Sequence, residues 1–200
     1  METKADILLQ TFNLTMKYGI KSVSMDDIAR HLGMSKKTIY QHFENKRALV
    51  KEMVLATVVK DECDIKQISA KANDAIDEMV TIARHILSFL REMSPSLVYD
   101  MQKYYAKEWQ MVKKHHEEFV YGVVIQNIER GKKEQVYQSK INADVIAKLY
   151  VGMSHLMTNE EIFPLKDYSK SELYSNLVTY HMRGIVTEKG REYLAKLKID

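Results

Sequence analysis

Residues 24–43 run Ser-Met-Asp-Asp-Ile-Ala-Arg-His-Leu-Gly-Met-Ser-Lys-Lys-Thr-Ile-Tyr-Gln-His-Phe, and no other stretch restricts the fold of this chain so narrowly. The order specifies two short helices joined by a tight turn. The second helix carries cations and hydrogen-bonding side chains where a buried helix would be apolar. That is the physical specification of a helix-turn-helix whose second helix enters the DNA major groove.

Each part has a local cause. Ser24 followed by Asp27 has capping-box spacing, with the hydroxyl accepting an unpaired backbone N–H and an acid near the positive helix end. Ile28, Ala29 and Leu32 form one apolar stripe of a helix about two turns long. Gly33 ends that helix, because only glycine takes the left-handed conformation there without steric cost. Met34 packs in the turn and Ser35 caps the next helix, from which Ile39 and Phe43 face inward. Lys36, Lys37, Thr38, Tyr40, Gln41 and His42 cover its remaining faces. Asn45 then caps a further helix that opens with Lys46 and Arg47, which sets a positive helix end and two cations where a phosphate would pass.

The pattern resembles the TetR family of bacterial transcriptional regulators. The resemblance is carried by Ile7-Leu8, Gly19, Val23-Ser24, Ile28-Ala29, Leu32-Gly33-Met34-Ser35, Thr38-Ile39-Tyr40, His42-Phe43, Asn45-Lys46 and Leu49, roughly the first quarter of the chain. Departures are Thr11 and Phe12 where the family often has paired alanines, Lys37 where a small residue or proline is frequent, and Asp26 where several members carry a cation. The resemblance implies a DNA-contacting set of Ser24, Ser35, Lys36, Lys37, Thr38, Tyr40, Gln41, His42 and Lys46. Within it, Thr38, Tyr40, His42 and Lys46 are expected mainly on phosphates. Lys36, Lys37 and Gln41 suit base edges, lysine donating to guanine and glutamine pairing with adenine.

Composition agrees. Two prolines and seven glycines among 200 residues, with twelve methionines, point to an all-α chain. The single Cys63 excludes an internal disulfide and fits a reducing cytoplasm. No apolar run reaches the length of a membrane span, and a secretory h-region is missing from the N-terminus. The net charge of +3 divides unevenly: residues 1–60 carry +4 and the remainder −1. The basic excess therefore sits with the motif, as a phosphate-binding module requires.

Beyond it, apolar stripes recur at helical spacing. Leu49, Met53, Ala56 and Val59 mark one helix, and Ile76 through Leu90 another. Ser94-Pro95 starts a helix bearing Leu97, Met101, Tyr105, Trp109 and Val112. Later segments, 142–160 and 170–186, are apolar on more than one face. The expectation is nine or ten helices: a helix-turn-helix domain over 1–47 and a helical bundle over 48–200.

Two functional expectations attach to the bundle, and ordinary core packing competes with both. The resemblance implies that 142–160 and 170–186 pair with their copies in a homodimer, through Leu149, Met153, Leu156, Leu173, Leu177 and His181. It also implies a small-molecule cavity among the middle helices, where Phe89, Met93, Met101, Tyr104, Tyr105, Trp109, Phe119 and Tyr121 are candidate walls. His115-His116-Glu117-Glu118 reads as a solvated surface turn, since no second His or Cys follows at ligand spacing. No cofactor is expected, and no nucleophile–base constellation or phosphate-cradling loop supports an enzyme. The expected molecule is a dimeric, ligand-responsive regulator, most simply a repressor on a palindromic operator. Its rivals are a DNA-binding regulator without an effector and, more remotely, an enzyme on a helical scaffold.

Overall fold

The computed structural model describes residues 3–195 and residue 197. These fold into eleven α-helices and one π-helical turn: α1 Lys4–Tyr18, α2 Met25–His31, α3 Lys36–His42, α4 Lys46–Lys71, α5 Ala75–Glu92, α6 Ser96–Tyr104, α7 Ala106–His115, the π turn His116–Val120, α8 Tyr121–Lys133, α9 Ala143–Leu156, α10 Lys170–Ile185 and α11 Glu188–Leu194. The only extended pairing among the described residues is an isolated bridge between Tyr137 and Val186. No helix of the described residues is long and apolar enough to cross a membrane.

The chain forms two compact units whose boundary differs from the expected 47/48 division. One comprises residues up to Asp61 together with Glu92–Lys113; the other comprises Glu62–Arg91 and the residues from Lys114 onward. Position 47 falls just inside α4, a continuous helix, so the backbone offers no linker there. The stripe on α6 and α7 explains the return of the later segment. Met101 and Tyr105 bury against Ile20, Val50, Met53 and Val54, with Trp109, Leu97 and Val112 packed around them.

Helix capping follows the sequence closely. Ser24 and Asp27 form a reciprocal capping box, and Ser35, Asn142 and Ser169 each accept from the backbone N–H three residues on. A second box, Thr3–Asp6, opens α1. Two details differ from expectation. Helix α6 begins at Ser96, with Pro95 in the cap position and no side-chain cap. The single helix expected through Tyr105 breaks there, where the backbone turns to φ −130°, ψ 45°, and the break raises the helix count.

In the second unit, Ile76, Met79, Val80, Ile128, Tyr137, Val178 and Met182 are buried at the centre of one apolar core. His181 joins them at 4 % exposure, its ring edge-on to Tyr150 with centroids 4.9 Å apart. Burial lowers its pKa to about 4. An unfolded chain takes up that proton near the ordinary histidine value, whereas the folded one stays neutral until far lower pH. Stability from this group is therefore complete above about pH 6.5 and drains away as pH falls toward 4. Thermal melts should show a loss of about 2 kcal/mol between pH 7 and pH 5 that His181→Gln removes. An unchanged pH slope in that variant would assign the effect elsewhere.

Candidate nucleic-acid interface

The helix-turn-helix is built on a small apolar core. Ile7, Val23, Met25, Ile28, Ala29, Ile39, Phe43 and Leu49 bury together, and Ile28 and Ile39 have no exposed surface. Each large side chain buried here contributes about 1.5–3 kcal/mol. That burial fixes the azimuth of α3 and so decides which of its side chains face water.

The turn has the expected chemistry. Gly33 sits at φ +64°, and Met34 N–H donates to Ala29 O at 3.0 Å, closing the end of α2. Ser35 Oγ accepts from Thr38 N–H at 3.1 Å and meets Thr38 Oγ1 at 2.9 Å. These bonds pin the start of α3. With Ile39 and Phe43 inward, Lys36, Lys37, Tyr40, Gln41 and His42 are exposed, and Tyr40 retains 48 % of its surface. Such a row of two ammonium groups, a phenol, an amide and an imidazole can meet both phosphates and base edges.

The remaining expected contacts are held in place by partners. Ser24 Oγ donates to Asp27 Oδ2 at 2.6 Å, which keeps the Asp27 carboxyl below its usual range. Lys36 Nζ lies 2.6 Å from Asp26 Oδ2, an ion pair that raises the lysine. Thr38 is half-buried with its hydroxyl engaged. Lys46 is half-buried as well, and donates to Ile20 O at 2.6 Å. Burial lowers its pKa against the pull of Asp100 and Asp27. In this conformation Lys46 ties the start of α4 to the α1–α2 turn.

Residues 7–53 match the sequence profile described as bacterial regulatory proteins, tetR family. The matched stretch, which holds the helix-turn-helix, is similar to the DNA-binding part of that family. Along its length the chain is 25 % identical to the uncharacterized HTH-type transcriptional regulator YvaF of Bacillus subtilis strain 168, over 92 % of this chain and 95 % of that protein. Solved TetR-like structures share the fold. A putative transcriptional regulator from Saccharomonospora viridis in complex with choline matches with a TM-score of 0.68 at 19 % identity, over 92 % of this chain and 98 % of that one. A TetR-family regulator from Agrobacterium tumefaciens matches with a TM-score of 0.69 at 15 % identity, over 92 % and 97 %. Both the matched profile and the relative of similar length describe transcriptional regulators.

The other candidate residues fall in different places. Of the expected cavity walls, Met101, Tyr105 and Trp109 join the first unit's core, because the α6–α7 stripe faces α1 and α4. Met93 is half-buried before α6, whereas Phe89 and Phe119 belong to the second unit. Of the expected dimer residues, Leu149 and Leu156 stand exposed at 54 % and 43 %, and Met153 and Leu173 are half-buried. Leu177 and His181 point into the core, at 7 % and 4 %, so they leave the open face to Asn176, Tyr180 and Arg183 on α10. The histidine run is not a solvated turn. His115, the last residue of α7, is buried and stacks on Phe119 at 5.1 Å, and His116 stacks on His155 at 5.9 Å, while Glu117 and Glu118 stay exposed. Among the described residues no group of three His, Cys, Asp or Glu side chains can hold a metal ion.

Sequence reasoning missed Lys21, Tyr99, Asp100 and Lys103, and read Tyr104 only as a candidate cavity wall. Lys21 N–H donates to the buried Asp100 Oδ2 at 2.8 Å, which bonds α6 to the α1–α2 turn, and Ser94 N–H, just before α6, donates to Met16 O of α1 at 2.6 Å. Lys21 and its partners Asp100 and Tyr104 lie so far apart in the chain that they leave no local pattern to read.

Proposed function

We propose that this regulator is a ligand-responsive repressor that binds a palindromic operator as a homodimer. One observation carries the DNA reading: α3 presents Lys37, Tyr40 and Gln41 to solvent from a capped helix fixed by Ile39 and Phe43. Lys37 and Gln41, one turn apart, are the base-reading pair; Tyr40 and His42 reach the backbone.

The dimer reading is supported by α9 and α10. Val145, Leu149 and Leu156 are each more than two-fifths exposed along α9, and Tyr180 on α10 is 72 % exposed. Gly152 lies on the same stripe with open space where a side chain would go, which lets another helix approach closely. Two copies joined there would hold two α3 helices for half-sites about 34–36 Å apart.

The effector reading is supported by the fold shared with the regulator crystallised with choline. An effector would act by binding two spacings of the paired motifs with different affinity. A regulator without an effector is the second reading, and it predicts operator binding indifferent to added metabolites.

The test is a mobility shift with the duplex upstream of the chain's own coding sequence, run with and without cell extract and with choline. A complex that extract dissolves supports the repressor; absence of any complex with that duplex and with random-sequence DNA overturns the DNA reading. Lys37→Ala should flatten the dependence of log affinity on log salt by roughly one unit and relax specificity at one base pair. An unaltered salt slope would remove Lys37 from the interface.

A further inference from the structure

Outside the helix-turn-helix, the first unit carries a compact group of cations and phenols. Lys21 Nζ donates to Tyr104 Oη at 2.8 Å and lies 4.6 Å from the centre of that ring. Lys103 Nζ donates to Tyr99 Oη at 2.6 Å, with the Tyr99 ring at 5.0 Å and the Tyr104 ring at 5.5 Å. Two ammonium groups thus share one aromatic ring, that of Tyr104. Their hydrogen-bond partners are neutral phenols, which orient a cation without cancelling its charge. The nearby carboxylate of Asp100 is 4 % exposed and already accepts the Lys21 backbone N–H. A surface that gathers like charges beside a spent carboxylate gains by meeting an anion.

Position decides which anion. Lys21 lies three residues before Ser24, the cap of α2. Tyr104 O accepts from the Arg47 guanidinium at the start of α4, where Asn45 Oδ1 caps through Ala48 N–H. Lys46, beside it, bonds Ile20 O. The group is therefore bonded to the start of α4 and lies three residues along the chain from the cap of α2, beside the helix-turn-helix. Its lysines are point charges suited to phosphate oxygens and carry no base information.

We propose that Lys21 and Lys103, held by Tyr104 and Tyr99, form a second contact with the DNA phosphate backbone, which extends the footprint from the helix-turn-helix onto α6. The inference rests on the DNA-binding reading. The contact strengthens binding to any sequence and adds to its salt dependence. Tyr99 and Tyr104 act as positioning residues, since they fix the ammonium groups and need not touch the phosphate.

The test compares wild type, the Lys21→Ala/Lys103→Ala double variant and Lys37→Ala on a labelled random-sequence duplex of about three helical turns, between about 50 and 200 mM salt. Both lysines are exposed, so melting temperatures should match wild type. The double variant should lower the log–log slope by roughly two units and Lys37→Ala by roughly one. If Lys37→Ala flattens the slope and the double variant does not, the α6 contact is overturned while the helix-turn-helix reading stands. If wild type fails to bind the duplex, both fall. A site for free anions would instead show inorganic phosphate raising the melting temperature of wild type but not of the double variant, with equal DNA slopes, and that too overturns the proposal. Lys103→Arg should keep the wild-type slope where Lys103→Ala loses roughly one unit, if charge at that place is what matters.

Discussion

A Leu149→Asp variant is expected to sediment as a folded monomer and to lose operator affinity by at least about 100-fold, because the linked second half-site is what raises affinity. Leu149 is 54 % exposed on α9, so a carboxylate there stays hydrated in the isolated chain and costs it within about 0.5 kcal/mol. Against a partner's helices the same carboxylate would be stripped of water without a cation to meet it, which costs several kcal/mol. The matched substitution Leu177→Asp gives the contrast. Leu177 is 7 % exposed and sits in the second unit's core, so a charge there should unfold that unit and not merely separate copies. Sedimentation and thermal melting of the two variants separate these outcomes. A Leu149→Asp protein that remains dimeric, or a wild type that is monomeric at micromolar concentration, removes α9 from the interface.

Gly131→Ala is expected to destabilise the second unit by about 3 kcal/mol or more, against the usual sign for glycine in a helix. In α8 the exchange would ordinarily help by up to about 1 kcal/mol. Here an added Cβ would fall within the ring of Tyr137, which is 1 % exposed and lies flat against that turn of helix. Moving the ring breaks more than packing. Tyr137 Oη reaches Ala75 O at 3.0 Å and Asn127 Oδ1 at 3.1 Å. Asn127 Nδ2 in turn donates to Glu78 Oε2 at 3.1 Å, and Arg130 pairs with the same oxygen at 3.2 Å. A buried carboxylate is therefore part of the same network, and losing one member leaves others unpaired. The melting temperature should drop by roughly 6–12 °C. Gly122→Ala in the same helix, with open space at its Cβ, is the control and should be neutral or slightly stabilising. Equal melting of the two variants would mean that Tyr137 does not pack on α8.

What could be read from the sequence was what a few adjacent residues decide. Ser24, Ser35, Asn142 and Ser169 cap helices because capping needs only a side chain and the N–H three residues along. Gly33 takes its left-handed turn for an equally local reason. The exposed face of α3 follows from Ile39 and Phe43, four apart. Facing was illegible where a helix is apolar all round. On α10 neither Leu177 nor Tyr180 announces its direction, and the structure buries the first while leaving the second 72 % exposed. The stripe from Leu97 to Val112 was visible, but its target was not, since Ile20 and Val50 lie far back in the chain. Lys46 looked like a free phosphate contact because the Ile20 carbonyl that receives it has no signature in sequence.

If α3 reads bases as proposed, the Lys36–Asp26 pair gives that reading the character of an exchange reaction. Lys36 is not an idle cation: its ammonium already sits 2.6 Å from a carboxylate on the preceding helix. Both groups are about half exposed, and such a pair is worth at most about 1 kcal/mol, small enough to open without strain. On DNA that offers no acceptor within reach, the pair stays closed and its charges cancel, so Lys36 adds little to random binding. A guanine edge that replaced the carboxylate would take the ammonium as its partner and leave Asp26 to meet a cytosine amino group or a repelling phosphate. The carboxylate thus sets a threshold that each sequence must clear, and it turns one lysine from a source of adhesion into a source of discrimination.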